Sequence, residues 1–382
     1  MLNIEKIFII LTRKERIRSV YLFLLIISMA LIDMIGIASV MPLIALLTNP
    51  EMIISNKIIN FAYQKSIIFG VEDEQSFLIL TGFFVFFLLM ISIIVKAFTV
   101  YFQSRYIRYC EYSLSKRLIK RYIYQPYSWF LNQNSSEIGK TILSETSNVI
   151  GKGLGPAISL ATNAIVTLTL VIMLLYVDTK LTLIVAISVG LFYMMFYLLI
   201  RKLLSKVAKK NFEDNGLRFK ALLEAFSASK EVKVGGLEQI FINRFSKPAK
   251  SMAYNATLVE ILTQLPRFAL EAISFGGMIL VIIFYMLATD NIASVLPIIA
   301  LYAFAGYRLM PAIQKIFTSI TSLRVSGPAI NYLYNDIKNL NLIIDENPNE
   351  EFFFNESIKL KNIFYTYPES SRTVLKNINL TI

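Results

Sequence analysis

Six long apolar runs limit what this chain of 382 residues can fold into. They lie at residues 20–47, 77–102, 157–177, 181–200, 268–288 and 292–313. A membrane-spanning helix needs roughly 20 consecutive apolar residues. Charged residues make up only 17% of the chain, whereas a soluble domain has about 25%. The sequence therefore predicts an all-α membrane protein with six transmembrane helices.

Lysine and arginine are unevenly distributed over the connecting segments. They number 5, 8 and 12 in segments 1–19, 103–153 and 201–265, but 2, 1 and 0 in segments 48–74, 178–180 and 289–294. Cytoplasmic loops carry an excess of these residues, so we predict that both termini and the two long basic loops lie in the cytoplasm. Because membrane topology accounts for the net charge of +12, no nucleic-acid partner is predicted.

The first 19 residues are predicted to form an interfacial elbow helix. Ile4, Ile7, Phe8 and Leu11 recur at helical spacing and are followed by a basic stretch. An amphipathic helix of this kind lies in the membrane interface. The transmembrane domain is then predicted to occupy residues 20–335.

Both long inside loops are rich in helix-forming and charged residues. Tyr106, Cys110, Leu114 and Leu118 form an apolar stripe among basic residues, which predicts a helix that continues from the membrane into water. About 20 additional residues would extend it by roughly 30 Å. The alternative is a separate soluble helical hairpin packed on the membrane.

The first loop turns at "QPYSWFLNQNSSEIGK". Pro126 is expected to end one helix, and Asn134 with Glu137 three residues later resembles a capping box for the next. Trp129 and Phe130 lie between them. An exposed aromatic pair at a loop tip indicates docking onto a partner, although the two rings could instead anchor the loop at the membrane interface.

Two shorter features complete the loops. In "SASKEVKVGGLEQIF" the pair Gly235-Gly236 is predicted to end one helix and begin another. On the outside, Ile58, Ile59, Ala62 and Ile67 predict a short helix resting on the outer leaflet.

The end of the chain is polar and alternating. Residues 336–356 have the composition of a linker, and residues 357–382 then alternate apolar and polar side chains. Ile358 and Leu360 in one run, and Ile378, Leu380 and Ile382 in another, predict two antiparallel strands. Since two strands are not stable alone, we expect them to be the truncated start of a second, soluble domain.

Six ionisable residues are predicted inside or at the ends of the spans: Asp33, Lys96, Arg267, Glu271, Arg308 and Lys315. Such residues are costly in a membrane and usually functional. Arg308 would lie about 24 Å from the outer end of the sixth span, and Arg267 and Lys96 enter from the cytoplasm at a similar depth. Basic groups on three spans at one depth suit an anionic head group, because Arg binds phosphate through two hydrogen bonds.

Simpler roles remain open for the same residues. Lys96 could extend its ammonium group to the interface, and Arg267 and Glu271, four residues apart, could pair with each other. Asp33 could serve helix packing or gating.

The sequence contains no histidine and a single cysteine, Cys110. Disulfides within the chain and a histidine base are therefore excluded, and Cys/His metal sites nearly so. No catalytic or metal-binding residue is predicted.

An elbow helix, six spans, two long basic inside loops and a strand-forming end together resemble the transmembrane part of an ABC exporter. The stretch "IKLKNIFYTYPESSRTVLKNINLTI" is similar to the start of its nucleotide-binding domain, where a tyrosine before a proline stacks on adenine. The resemblance gives Tyr367 this role, although an ordinary strand tyrosine is the alternative.

The family's phosphate-binding glycine-rich loop, signature motif and catalytic glutamate are not among these residues. We therefore expect ATP and Mg²⁺ to act in the complete, ATP-hydrolysing protein, and residues 1–382 alone to bind neither.

The resemblance also implies that the two inside turns, 129–136 and 228–234, are coupling helices that dock on nucleotide-binding domains. Trp129 and Phe130 belong to the first, and Lys230 and Glu231 to the second. In this family the second inside loop crosses to the partner subunit, which implies a homodimer.

More narrowly, "QLPRFALEAISF", "YRLMPAIQKI" and "SVMPLIAL" are similar to PglK-type flippases of lipid-linked oligosaccharides. This likeness implies a polyprenyl-pyrophosphate sugar as cargo and a bacterial cytoplasmic membrane as location. An ABC exporter of a peptide, a drug or another lipid is the alternative, and its cavity would be mainly apolar and aromatic. A non-transporting membrane sensor or scaffold is an alternative from another class.

Overall fold

The computed structural model describes residues 4–48, 57–66, 73–131, 133, 135–288, 296–340, 357–366 and 372–382. Its helices are α1 (Ile4–Ile10), α2 (Arg13–Ala38), α3 (Val40–Thr48), α4 (Lys57–Ser66), α5 (Glu74–Ile123), α6 (Tyr127–Leu131), α7 (Ser135–Lys140), α8 (Thr146–Val149), α9 (Gly155–Val177), α10 (Thr179–Ser227), α11 (Ser229–Val234), α12 (Glu238–Ala288), α13 (Leu296–Val325) and α14 (Gly327–Asn339). Two π-helical turns, Thr141–Glu145 and Ile150–Leu154, flank α8. The strands are β1 (Lys359–Thr366) and β2 (Thr373–Thr381).

The long helices coincide with the predicted spans. Four helical segments are long and apolar enough to cross a membrane: Arg13–Thr48, Glu74–Ile123, Ser136–Val177 and Thr182–Ser227. They contain the first three predicted spans and all of the fourth except residue 181. The fifth lies within α12, and the sixth overlaps α13. The predicted membrane architecture, with long helical extensions and two strands at the end, is confirmed.

Helix α5 shows how a span continues into water. It has 50 residues and is therefore about 75 Å long, more than twice the roughly 30 Å of the hydrocarbon core. All four residues of the predicted stripe, Tyr106, Cys110, Leu114 and Leu118, are buried. Because the helix is uninterrupted, a separate soluble hairpin is excluded for this loop.

The N-terminal segment differs in detail from the predicted elbow. Helix α1 buries Ile7 in a cluster that also contains Ile330 of α14, and leaves Phe8 exposed. Thr12 then caps α2: its hydroxyl oxygen accepts a hydrogen bond from the Glu15 amide, and its own amide donates to the Glu15 carboxylate at 2.6 Å. The elbow segment thus contains all of α1 and the first turns of α2.

The first predicted span is divided at Ser39, between α2 and α3. The Ser39 hydroxyl donates to the carbonyl oxygen of Gly36 at 2.7 Å. Beyond α3, the predicted outer helix is present as α4. It packs Tyr63 edge-on against Phe77 of α5, with 5.2 Å between ring centres, while Ile67 lies outside the described residues.

Three of the apolar clusters in the described residues hold the long helices together. The first, which we name the elbow cluster, joins α1, α2, α5, α14 and the second π-helical turn. The membrane cluster joins α2, α9 and α13, and includes Met29, Leu170 and Leu301. A third cluster joins α10, α12 and α13 and is rich in aromatic side chains.

The C-terminal strands pair as predicted. β1 and β2 are antiparallel, with Leu360 opposite Leu380 and Ile363 opposite Ile378. Before them, α14 continues to Asn339, so the first residues of the predicted linker are helical. Residues 341–356 lie outside the described ranges.

Candidate functional site

An ion pair joins the first and sixth predicted spans. Arg308 Nη2 of α13 lies 2.8 Å from Asp33 Oδ1 of α2, and their side chains are 20% and 6% exposed. Asp33 lies one turn from both Met29 and Ile37, on the face of α2 that packs against α13. The pairing follows from this placement, because a carboxylate buried in a membrane bundle needs a counter-charge.

Two residues of α5 complete this site. The Ser92 hydroxyl donates to Asp33 Oδ1 at 2.7 Å. Lys96 follows Ser92 by one helical turn and lies close enough to Asp33 and Arg308 to interact with both charges. Its side chain is exposed on the chain, and within the described ranges no carboxylate lies within 4.0 Å of its ammonium group. We name Asp33, Ser92, Lys96 and Arg308 the intramembrane charge cluster.

Arg267 and Glu271 form a separate pair on α12. Arg267 Nε lies 2.8 Å from Glu271 Oε1, and the Arg267 side chain is 62% exposed. This is the i,i+4 pairing left open by the sequence. The structure does not bring either residue into contact with the intramembrane charge cluster, and Lys315 is exposed elsewhere on α13.

A contact between α12 and α13 fixes the relative depth of the two arginines. Gln314 Nε2 donates to the carbonyl oxygen of Thr263 at 2.8 Å. Consecutive spans cross a membrane in opposite directions, so this register puts Arg308 level with Ala269, within about 3 Å of Arg267 in depth. The two arginines therefore share a depth but are held by different carboxylates.

The first inside turn contains the short helix α6, with Trp129 and Phe130. Trp129 stacks on Tyr122 at the end of α5, with 5.6 Å between ring centres, and meets Phe130 edge-on. Trp129 is half-buried against the elbow cluster, whereas Phe130 is exposed. Of the aromatic pair, Trp129 thus packs against the protein, whereas Phe130 is exposed at the surface. Asn134 lies outside the described residues, so the predicted capping box is not described.

The second inside turn contains the short helix α11, with Lys230 and Glu231. Both side chains are exposed, while Val232 is buried. The helix ends at the predicted glycine pair, where Gly236 has a φ of +61° and Leu237 N donates to the Val232 carbonyl oxygen. This is a Schellman termination, which favours glycine in the left-handed position.

Tyr367 lies outside the described residues, so its predicted contact with adenine has no geometry here. In the ranges that the structure describes, no group of three or more His, Cys, Asp or Glu side chains could hold a metal ion.

The end of α5 is tied to α14. The Tyr122 hydroxyl donates a short hydrogen bond to Asp336 Oδ2, and Arg121 Nη1 donates to the Ile337 carbonyl oxygen at 2.8 Å. Burial raises the pKa of Asp336 above its ordinary value, the hydrogen bond from Tyr122 opposes this shift, and the charge of Glu137 adds to it. Because Tyr122 also carries the Trp129 stack, the first inside turn is connected to α14 through one residue.

Several polar contacts in the structure involve residues that were not predicted from the sequence to belong to a site. Lys140 is buried with its ammonium group over the rings of Phe212 and Tyr332. Beside it, the Asn215 amide donates to buried Glu145 at 2.9 Å. These contacts join residues about 70 or more positions apart, so no local sequence pattern could have indicated them.

A family model described as the ABC transporter transmembrane region matches residues 52–312. Among solved structures, the chain is similar to a bacterial Atm1-family ABC exporter with ATP bound, with a TM-score of 0.63 and 16% sequence identity. The match covers 96% of this chain and 61% of that one, so the chain spans about three fifths of the length of that exporter. At this identity the likeness shows the fold alone, which agrees with the helices and strands described above.

Proposed function

Because the chain belongs to the family of ABC transporter transmembrane regions, we propose that this multi-pass membrane protein is the transmembrane subunit of an ATP-driven exporter that flips a lipid-linked oligosaccharide. It would act as a homodimer in a bacterial cytoplasmic membrane, with both termini in the cytoplasm. Nucleotide-binding domains would supply ATP and Mg²⁺ chemistry, and Tyr367 would stack on adenine.

The intramembrane charge cluster is the observation that carries the cargo assignment. It contains two cations, Lys96 and Arg308, and one carboxylate, Asp33, so one positive charge is left over. A charge inside a span costs at least about 2.5–3.5 kcal/mol on insertion scales. An anionic cargo would neutralise the remaining charge, and a polyprenyl pyrophosphate has both the charge and the apolar chain that this setting suits.

The two cations would contribute differently. Lys96 is exposed and has no close carboxylate in the described ranges, so it would meet the pyrophosphate first. Arg308 is held by Asp33, but its planar fork can donate two parallel hydrogen bonds to phosphate. Asp33 would compete with the cargo for Arg308, and release of the cargo would restore the ion pair.

Alternation between inward-facing and outward-facing states would follow from ATP binding and hydrolysis, since a ligand shifts such states only by its differential affinity for them. The exposed side chains Phe130, Lys230 and Glu231 on α6 and α11 are suitably placed to contact nucleotide-binding domains. Arg267 and Glu271 neutralise each other and contribute to this proposal only through their depth.

A second candidate cargo is apolar, such as a peptide or a drug. It is favoured by the aromatic cluster between α10 and α13, where Phe192 stacks on Phe196 and Phe196 contacts Phe317. Such a cluster would bind apolar or aromatic cargo by area burial and ring contacts rather than by charge.

Transport by the full-length protein in liposomes distinguishes the candidates. A fluorescent lipid-linked oligosaccharide in the outer leaflet is accessible to a membrane-impermeant quencher, and flipping changes the accessible fraction. We expect ATP-dependent flipping that is competed by unlabelled pyrophosphate lipid and not by apolar peptides. Competition by apolar peptides alone would favour the second cargo, and the absence of movement of either cargo would indicate a sensor or scaffold.

A further inference from the structure

A second polar site lies on the cytoplasmic side, away from the intramembrane charge cluster. It is a cleft of about 630 Å3 between α10, α13 and the start of α14. This volume is within the range of about 300–1,000 Å3 that is usual for small-molecule sites. We name it the α10–α13–α14 cleft.

Arg324 provides the main positive charge of this cleft. Its Nε donates to the Ser205 hydroxyl oxygen at 2.8 Å, which fixes the guanidinium between α13 and α10. Over the part of the chain that the structure describes, no carboxylate oxygen lies within 4.0 Å of Arg324. A half-buried arginine with this geometry keeps terminal N–H groups to donate to a further acceptor.

Two lysines add to the charge. Lys209 lines the cleft, and its ammonium group is 4.0 Å from the Glu213 carboxylate, with both side chains largely exposed. An exposed ion pair of this kind contributes little to the stability of the fold. Lys6 of α1 donates to the side-chain oxygen of Asn331, another lining residue, at 2.6 Å. Two cations, Arg324 and Lys209, and one carboxylate, Glu213, therefore line the cleft, and a third cation, Lys6, contacts its wall.

The first turn of α14 borders the same space. Gly327 and Pro328, the first residues of this 13-residue helix, line the cleft. Pro328 has no backbone N–H to donate, so the start of α14 closes one side of the cleft without supplying hydrogen bonds from this residue. The preference of the cleft for an anion therefore comes from the side chains of Arg324 and Lys209.

The position of the cleft along α10 indicates where such a phosphate would come from. Leu199 and Leu203 are the last exposed apolar side chains before Ser205, and basic Lys202 and Lys206 are exposed among them. Lysines at the end of an apolar band lie at the level of lipid head groups. The cleft therefore opens at the head groups of the cytoplasmic leaflet, with buried Leu323 as part of an apolar wall.

We propose that the α10–α13–α14 cleft binds the phosphate head group of an anionic phospholipid, with Arg324 as the principal phosphate contact. The lipid chains would follow the apolar band of α10. This site is separate from the cargo site and does not depend on the identity of the cargo. Occupancy would hold α13 and α14 against α10, since all three helices contribute to the cleft.

The test is lipid retention by the full-length protein, measured by native mass spectrometry with phosphatidylglycerol and with phosphatidylcholine. We expect one tightly retained phosphatidylglycerol per subunit. Its apparent Kd should rise about tenfold in Arg324→Gln, the scale of losing charge-assisted hydrogen bonds, and less in Arg324→Lys. Arg108→Gln is the matched control, because Arg108 is an exposed arginine of α5 that pairs only with Glu111 in the described ranges.

Two outcomes would overturn the proposal. One is equal retention by wild type, Arg324→Gln and Arg108→Gln at matched unfolding temperature. The other is displacement of the lipid by glycerol phosphate at concentrations comparable to the lipid, which would assign the cleft to a soluble phosphate. Neither outcome depends on cargo transport, so failure here is distinguishable from failure of the proposed function.

Discussion

Arg308 Nη2 of α13 lies 2.8 Å from Asp33 Oδ1 of α2, so two of the ionisable residues predicted inside the spans are paired with each other. The pair closes the contact between two helices of the membrane cluster. It also changes which cation an anionic cargo would meet first, because Lys96 is exposed beside it.

The ion pair should be visible as a coupling in stability. Asp33→Asn leaves Arg308 buried without its counter-charge, and Arg308→Gln leaves the Asp33 carboxylate buried without its counter-charge. Removing one partner of a buried ion pair lowers the free energy of unfolding by about 3–5 kcal/mol. The double variant should recover part of this loss. Thermal unfolding of the four proteins in detergent measures the coupling.

Arg267→Gln is the control for that cycle, because its partner Glu271 is on the same helix and the arginine is largely exposed. Removing such a pair costs about 0.3–0.5 kcal/mol. The account of the intramembrane charge cluster fails if Asp33→Asn lowers the unfolding temperature no more than Arg267→Gln does.

Asp336 should make stability depend on pH. Burial raises its folded-state pKa above the ordinary value of 3.8, so the folded protein holds this proton more tightly than the unfolded chain. The resulting stabilisation is present below pH 3.8 and is lost as pH rises through the raised pKa. The unfolding temperature of wild type should therefore fall with rising pH relative to that of Asp336→Asn.

Tyr122→Phe sharpens this test. The Tyr122 hydrogen bond favours the charged carboxylate, so its loss should raise the pKa of Asp336 further and move the decline in stability to higher pH. A decline at the same pH in wild type, Tyr122→Phe and Asp336→Asn would show that Asp336 is not its source.

Any side chain introduced at Gly236 should destabilise the protein. Its φ of +61° is left-handed, and an L-residue there costs roughly 1–2 kcal/mol. Gly236→Ala should lower the unfolding temperature, whereas Gly190→Ala, in the middle of α10 with open space around the new methyl group, should not lower it. Equal effects of the two changes would contradict the described end of α11.

Trp129 should matter for coupling rather than for binding of cargo. Trp129→Ala removes the stack on Tyr122, worth about 0.5–1.5 kcal/mol beyond its area burial, and Tyr122 leads to α14 through Asp336. In the full-length protein we expect more ATP hydrolysed per cargo molecule moved. Trp129→Phe should keep most of the coupling. Normal transport by Trp129→Ala would contradict this role and would indicate that Trp129 only anchors the loop at the membrane interface.

The fold could be predicted largely from sequence because its signals are local. Apolar runs gave the spans, the stripe from Tyr106 to Leu118 gave the extension of α5, and alternation gave β1 and β2. The capping box of Thr12 and Glu15 also had a local signal, Thr-x-x-Glu, but was not among the predictions.

The candidate site was predictable only in part. Asp33, Lys96 and Arg308 were all recognised, because an ionisable residue in a span stands out by composition, and Lys96 and Arg308 were predicted to share a depth. The pairing of Arg308 with Asp33 was not predicted, because it joins helices far apart in the chain and depends on which faces of α2 and α13 meet. The same limit applied to Lys140, whose partners Phe212 and Tyr332 are distant in sequence.

We propose that the intramembrane charge cluster binds an anionic cargo. The most direct test of this proposal is the stimulation of ATPase activity by pyrophosphate-linked lipid, titrated for the full-length protein in liposomes. Arg308→Glu would set a carboxylate against Asp33 and disturb the fold, so Lys96→Gln and Arg308→Lys are the informative changes. Lys315→Gln is the control, as a lysine exposed elsewhere on α13.

We expect the half-stimulating lipid concentration to rise about tenfold or more in Lys96→Gln, the scale of one charge-assisted hydrogen bond. Arg308→Lys should show a smaller rise, because it keeps the charge and loses the fork. Lys315→Gln should match wild type. If Lys96→Gln and Arg308→Lys also match wild type at equal stability, the cluster does not bind the anion, and an apolar cargo becomes the better account.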